Sequence, residues 1–177
     1  MAYHFRMVVA LMLLTTTLTA QIHRRPVSLP DTAKIQLGCL MQFPVDGTQV
    51  SGHHYRNGRF HHGLDITDNN RDTVRSAWLG RVRYARRGYN GGYGNLVIIT
   101  HINGLETYYA HLRDVFVNEG QWIGQGIAIG IVGSTGNSRG AHLHFEVRYN
   151  GLSLDPTDVR DVLVINIARH GQIYIVK

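Results

Sequence analysis

The stretch Ala141-His142-Leu143-His144-Phe145-Glu146-Val147-Arg148-Tyr149 changes character residue by residue, which is the period of a β-strand and not of a helix. Leu143 and Phe145 point to one face of such a strand, while His142, His144 and Glu146 point to the other. One face is expected in a core; the other presents two imidazoles side by side. Asn150-Gly151 closes the strand with turn chemistry. Upstream, Asn95–His101 is a β-branched run, and Leu105–Leu112 follows it across Asn103-Gly104. Asn-Gly favours a tight hairpin turn, so these two segments are expected to pair antiparallel.

The same punctuation recurs along the chain. Residues 77–85 alternate as a half-exposed strand, residues 117–126 and 127–132 read as short strands broken by glycine, and residues 163–168 and 172–176 give two more strand-like runs. Residues 88–94 are glycine-rich, but they precede a strand where a phosphate cradle would open a helix, so a flexible rim loop is expected. Asp155-Pro156 suggests the start of one brief helix through Val162, with proline at its first position. With 20 glycines and 17% charged residues, the composition suits an all-β fold, a single antiparallel β-sheet domain.

Residues 1–6 are short and positive, residues 7–20 are largely apolar, and Ala20-Gln21 offers a small-residue cleavage point, together the pattern of a secretory signal peptide. The apolar run is interrupted by Thr15, Thr16 and Thr17 and is shorter than a spanning helix requires. Membrane contact is expected only through this export signal. The remainder suits one domain, giving a signal peptide at 1–20, a linker at 21–40, a domain at 41–157 and a C-terminal extension at 158–177. Lys plus Arg number 18 against 12 Asp plus Glu, and such a surface attracts anionic polymers. No basic run is interleaved with aromatics as in a nucleic-acid module, so no nucleic acid is expected. Cys39, the only cysteine, has no internal disulfide partner and reads as a small buried hydrophobe.

An H-x-H pair needs partners before it means chemistry. Phe60-His61-His62-Gly63-Leu64-Asp65-Ile66 supplies them as H-x-G-x-D, an imidazole and a carboxylate separated by a glycine that lets the backbone turn closely. A catalytic zinc takes three such ligands and keeps a fourth position for water. His61, Asp65 and one member of the H-x-H pair make that set.

With Tyr109-Ala110-His111-Leu112 between these motifs and Gly140-Ala141 before the H-x-H strand, the chain resembles the lysostaphin-like (LytM-type) family of zinc endopeptidases over about Phe43 to Pro156. The resemblance implies a groove holding a zinc site, with Zn2+ bound by His61, Asp65 and His144 and with His111 and His142 as the catalytic pair. It also implies cleavage of stem or bridge peptides of bacterial peptidoglycan, in the periplasm or at the cell wall outside the cell. The alternative is a wall-binding or hydrolase-activating module of the same fold, working through a regulatory partner. All five positions are occupied, which argues against that alternative. A carrier-domain reading of residues 117–133 fails for want of a lysine. Glu146 is either a hydrogen-bond partner of a ligand imidazole or an exposed carboxylate. His53, His54 and His62 are expected in loops, His101 as structural or groove-lining, and Arg71, Tyr93 and Asn95 along the groove.

Overall fold

The computed structural model of the chain describes residues 32–37, 39–56, 58–67, 72–102, 104–161, 164–168 and 173–175. The expected signal peptide, the linker as far as residue 31, and the single positions Arg71, Asn103 and Val162 lie outside these residues. In chain order the strands are β1 (Thr32–Gln36), β2 (Thr48–Ser51), β3 (Tyr55–Arg56), β4 (Arg59–Phe60), β5 (Leu64–Thr67), β6 (Thr73–Arg75), β7 (Gly80–Arg86), β8 (Asn95–His101), β9 (Leu105–Leu112), β10 (Asp114–Val115), β11 (Trp122–Ile123), β12 (Ala128–Ile131), β13 (Leu143–Tyr149), β14 (Leu152–Leu154), β15 (Val164–Ala168) and β16 (Ile173–Ile175). One short helix, α1 (Pro156–Val159), follows β14.

The main sheet runs β11-β7-β8-β9-β13-β5-β2, with β14 added on β13, and its neighbours are antiparallel throughout. Alternation divides its side chains between two faces. Val97 and Ile99 of β8 join Tyr109, Leu143, Phe145 and Val147 in the principal core. Leu96 and Ile98 meet Ala110 in a smaller cluster on the other face, beneath Tyr84, Tyr93 and Tyr108. The smaller sheet β10-β12-β6 covers the principal core, contributing Val74 and Ile129 with no exposed surface. Each fully buried Leu, Ile or Phe stabilises the fold by about 2 kcal/mol, so the apolar side of β13 anchors the histidines on its reverse.

The hairpin β8–β9 forms as expected, with Gly104 at φ 81° in the turn. The strand expected from Ala77 begins instead at Gly80. Ala77 N–H donates to the Tyr109 hydroxyl at 2.9 Å, and its carbonyl accepts from Gln42 N–H and the Gln125 amide, which leaves neither group for a sheet neighbour. Residues 32–36, expected within the linker, form β1, which pairs with β15 along its whole length, and β16 completes a three-stranded sheet. Residues near the C-terminus therefore pair with residues 32–36. Helix α1 is capped by Asp155, whose carboxylate accepts from Thr157 N–H at 2.9 Å. Cys39 is exposed, not buried; its Sγ faces Gln125 Oε1 at 3.8 Å.

His101 is structural. It is buried between β7 and β9, with Nδ1 2.9 Å from Leu79 O and Nε2 2.8 Å from Thr107 Oγ1. Neutral His101 donates from Nδ1–H to the carbonyl and leaves Nε2 facing the Thr107 hydroxyl, which also contacts the Tyr109 hydroxyl at 2.9 Å. Burial lowers its pKa below the ordinary 6.5, against the smaller opposing pull of the Leu79 carbonyl. The unfolded chain therefore takes up this proton first, so stability present above the unfolded value is lost as pH falls through the folded one. Glutamine can keep both hydrogen bonds without titrating. The urea midpoints at about pH 7.5 and about pH 5 are expected to lie closer together in His101→Gln than in wild type; an unchanged or wider gap contradicts the assignment.

Candidate metal centre

Asp65 lies on β5 with Ser51 opposite it on β2 and His144 opposite it on β13. His61 enters just before, after the β3–β4 hairpin, its N–H bonded to His54 O at 2.9 Å. Gly63 makes this entry possible. A Cβ there would stand 2.3 Å from Phe145 O and 2.8 Å from Glu146 Cγ, so only glycine lets the backbone cross β13 closely enough to bring His61 and Asp65 over His144.

The three side chains are buried and their ligand atoms converge. His61 Nε2 is 3.1 Å from Asp65 Oδ1 and 3.0 Å from His144 Nδ1, and His144 Nδ1 is 2.8 Å from Asp65 Oδ1. The far nitrogens are already committed: His61 Nδ1 lies 2.7 Å from Gly52 O, and His144 Nε2 lies 2.9 Å from Glu146 Oε1. Each far nitrogen must donate its proton to those oxygens, which leaves unprotonated Nε2 and Nδ1 facing a carboxylate oxygen. Three lone pairs crowded in this way need a positive charge between them, and the donor set is that of a metal ion. A proton can supply the same charge: burial alone raises the Asp65 pKa, yet when His144 and His61 carry a proton toward it their hydrogen bonds hold it far below the carboxylate range. Burial likewise disfavours a charged His144, but Asp65 and Glu146 raise its pKa above the ordinary value.

Glu146 is fully buried, which removes the exposed-carboxylate reading. Besides His144 it accepts the Tyr93 hydroxyl at 2.9 Å and an ion pair from Arg148, and Arg148 also donates to Tyr93 at 2.9 Å. Ligand histidines are oriented by partners of this kind. On the other side, Arg56 Nη2 donates to Asp65 Oδ2 at 3.0 Å and leaves Oδ1 for the cluster. Sequence reading missed Arg56, because nothing in its two-residue strand marks it apart from other surface arginines.

His111 and His142 stand beside this cluster, their rings 4.7 Å apart and the His111 ring 5.8 Å from that of His144. A register shift where β9 passes Asn95 and Val97 of β8 puts His111 on a bulge, and its φ is 60°, a conformation non-glycine residues seldom adopt. Three contacts hold it: His111 N–H to Tyr93 O at 2.8 Å, Nδ1–H to Thr135 O at 2.8 Å, and His111 O from Thr135 N–H at 3.4 Å. Burial lowers the His111 pKa to about 4. His142, expected inside the strand, sits just before β13 in a bridge to Gly133. Its Nδ1–H donates to Gly140 O at 2.8 Å, and its Nε2 lies 3.7 Å from Asp65 Oδ1.

All five histidine and aspartate positions line one open cavity of about 550 Å³, together with Tyr93. Asn95 does not. Its amide is buried, bonded to Gly88 N–H and Arg113 O, and ties down residues 88–94. That rim is no free loop: Gly94 packs so tightly on Thr135, and Gly136 on Gly94, that a Cβ at either would fall within 2.4 Å of backbone. His53 and His62 both reach Ser153 Oγ at 3.0 Å and do not line the cavity.

A family model, Peptidase family M23, matches residues 59–156, and the chain belongs to this family. Similar proteins include the DD-carboxypeptidase/endopeptidase Mpg of Neisseria meningitidis, 46% identical over 101 residues that span 57% of this chain and 23% of that protein. Another is the murein hydrolase activator NlpD of Escherichia coli, 40% identical over 94 residues, 53% of this chain and 24% of the relative. The chain thus spans about a quarter of the length of these relatives. Among solved structures, the catalytic domain of lysostaphin from Staphylococcus simulans is 29% identical with a TM-score of 0.59, over 64% of this chain and 91% of that one. A zinc-containing peptidase from Vibrio cholerae is 28% identical with a TM-score of 0.58, over 68% and 39%. The resemblance read from the three motifs therefore holds.

Two outcomes follow from this geometry. Gly63→Ala is expected to lose about 2 kcal/mol of unfolding free energy or more, measured by urea denaturation, and an unchanged midpoint would show that β13 yields to the extra carbon. At His111 the usual order of small residues is expected to invert. His111→Gly should exceed His111→Ala in stability by about 1 kcal/mol, whereas alanine the more stable would mean that the bulge relaxes once the imidazole is gone.

Proposed function

We propose that this chain is an exported zinc metalloendopeptidase that hydrolyses peptide cross-links of bacterial peptidoglycan. The observation that carries the reading is the convergence of His61 Nε2, Asp65 Oδ1 and His144 Nδ1 within 3.1 Å on one open groove. Two imidazoles and one carboxylate match a catalytic zinc set with a position left for water. When bound, zinc supplies Lewis-acid polarisation of a peptide carbonyl and lowers the pKa of water.

The chain's own residues handle the proton. His111 and His142 each fix Nδ1–H on a backbone carbonyl, so each turns Nε2 toward the groove as an acceptor. Burial keeps His111 neutral at neutral pH. A neutral imidazole in this position takes a proton from the attacking water and returns it to the leaving amine. Between those events the imidazolium stabilises negative charge on the carbonyl oxygen. Glu146, Tyr93 and Arg148 hold the His144 ring at its orientation throughout.

A setting outside the cytoplasm is supported by the export pattern at residues 1–20 and by similarity to the outer membrane antigenic lipoprotein B of Haemophilus influenzae and a lipoprotein NlpD/LppB homolog of Pseudomonas aeruginosa. The likeness to NlpD, described as a murein hydrolase activator, favours a second reading in which the domain stimulates another hydrolase. Fragment release separates the two. Purified protein incubated with zinc and isolated cell-wall sacculi is expected to release peptide fragments seen by mass spectrometry. His111→Ala and His142→Ala are each expected to cut release about 100-fold or more, and His144→Ala or a chelator to abolish it. Release that survives both controls rejects the zinc reading; none from wild type, with stimulation of an added hydrolase, selects the activator.

A further inference from the structure

Besides the ligand and catalytic residues, the groove carries two arginines from separate segments, Arg56 on β3 and Arg139 between β12 and β13. Among the described residues, Asp65 is the only acidic side chain lining it, and its oxygens face His61, His144 and Arg56. Arg139 is exposed and has no hydrogen bond or ion pair among the described residues. Arg56 engages Ser51 Oγ at 2.6 Å through Nη1 and Asp65 Oδ2 at 3.0 Å through Nη2. Each of those nitrogens keeps a second hydrogen. Asn137, two residues before Arg139, adds a side-chain amide to the same wall. The walls thus present guanidinium donors in excess of the acceptors among the described residues lining the groove.

From this we infer that the groove binds a free carboxylate carried by the peptide, and that Arg139 is the residue that reads it. The inference rests on the peptidase reading above and narrows its substrate to an anionic peptide. A guanidinium matches a carboxylate with two parallel hydrogen bonds, a geometry that an uncharged amide does not reproduce. A glycine bridge offers no carboxylate near its scissile bond and gains nothing from this wall. Two sources carry the right chemistry: the C-terminal carboxylate of a peptide cut near its end, and the side-chain carboxylate of an acidic residue beside the scissile bond.

Isothermal titration separates them. The zinc-loaded full chain, in a His142→Ala background that suppresses turnover, is titrated with one synthetic stem-type peptide ending in D-alanine in three forms: free acid, C-terminal amide, and side-chain amide. Amidation at the site being read is expected to weaken binding about tenfold or more, while amidation elsewhere changes little. Arg139→Gln is expected to remove that preference by weakening only the carboxylate form, and Arg139→Lys to restore part of it. Equal binding of all three forms by the parent chain, or an equal loss of all forms in Arg139→Gln, overturns the inference. An Arg139-dependent preference in a chain that releases nothing from sacculi leaves the carboxylate site standing and rejects the peptidase reading alone.

Discussion

Asp65 stands between β2 and β13, and its Oδ1 reaches His144 Nδ1 at 2.8 Å and His61 Nε2 at 3.1 Å. Removing such groups from water is unfavourable by several kcal/mol per ion unless geometry and added hydrogen bonds compensate. Neither partner can drift. A one-residue slip of β5 on β13 would turn Asp65 to the core face and bring Leu64 or Ile66 to the groove, and both are fully buried in the principal core. The register that satisfies the apolar side is therefore the register that assembles the donor cluster. Hydrophobic burial on one face fixes electrostatics on the other.

Behind the cluster, the polar face is linked across to β7 by hydrogen bonds and one cation–π contact. Glu146 links His144 to Tyr93 and Arg148, the Arg148 guanidinium lies 4.4 Å from the Tyr108 ring centre, and Tyr108 joins Glu106 and Arg83. Alternating donors and acceptors leave no buried side-chain polar atom without a partner among the described residues. A carboxylate with no solvent exposure is tolerable because Arg148 and His144 surround it. Its pKa sits below the usual range despite the contrary push of burial.

Period-two alternation gave away β13, and a β-branched run with an Asn-Gly turn gave away β8 and β9, because those signals are local. The H-x-G-x-D spacing made His61 and Asp65 candidates for the same reason, and the structure brings them together with His144 and sets His111 and His142 alongside. Other features depend on distant partners and left no local mark. β1 spans five residues and is matched by β15 more than 120 positions later. Arg56 becomes part of the site only through the hairpin that folds it onto Asp65, and Asn95, a plausible groove residue by type, spends its amide on loop backbone. The glycines of residues 88–94 resembled freedom in sequence, yet at Gly94 the absent side chain serves close packing against Thr135, while Gly88 and Gly91 have open space and serve positive φ.

That close packing bears on what the groove is for. His111 occupies a left-handed backbone conformation on a bulge, and strain of this kind persists only where surrounding contacts enforce it. Here the enforcing contacts come from the two loops that form the rim, through Tyr93 O and both backbone groups of Thr135. Because those loops also lock to each other, the imidazole pair is in place before any peptide arrives, and ordering it is no part of the cost of binding. Under the proposed function, that arrangement supplies a preorganised proton acceptor whose neutrality is secured by burial and whose position is fixed by the same contacts that hold the rim together.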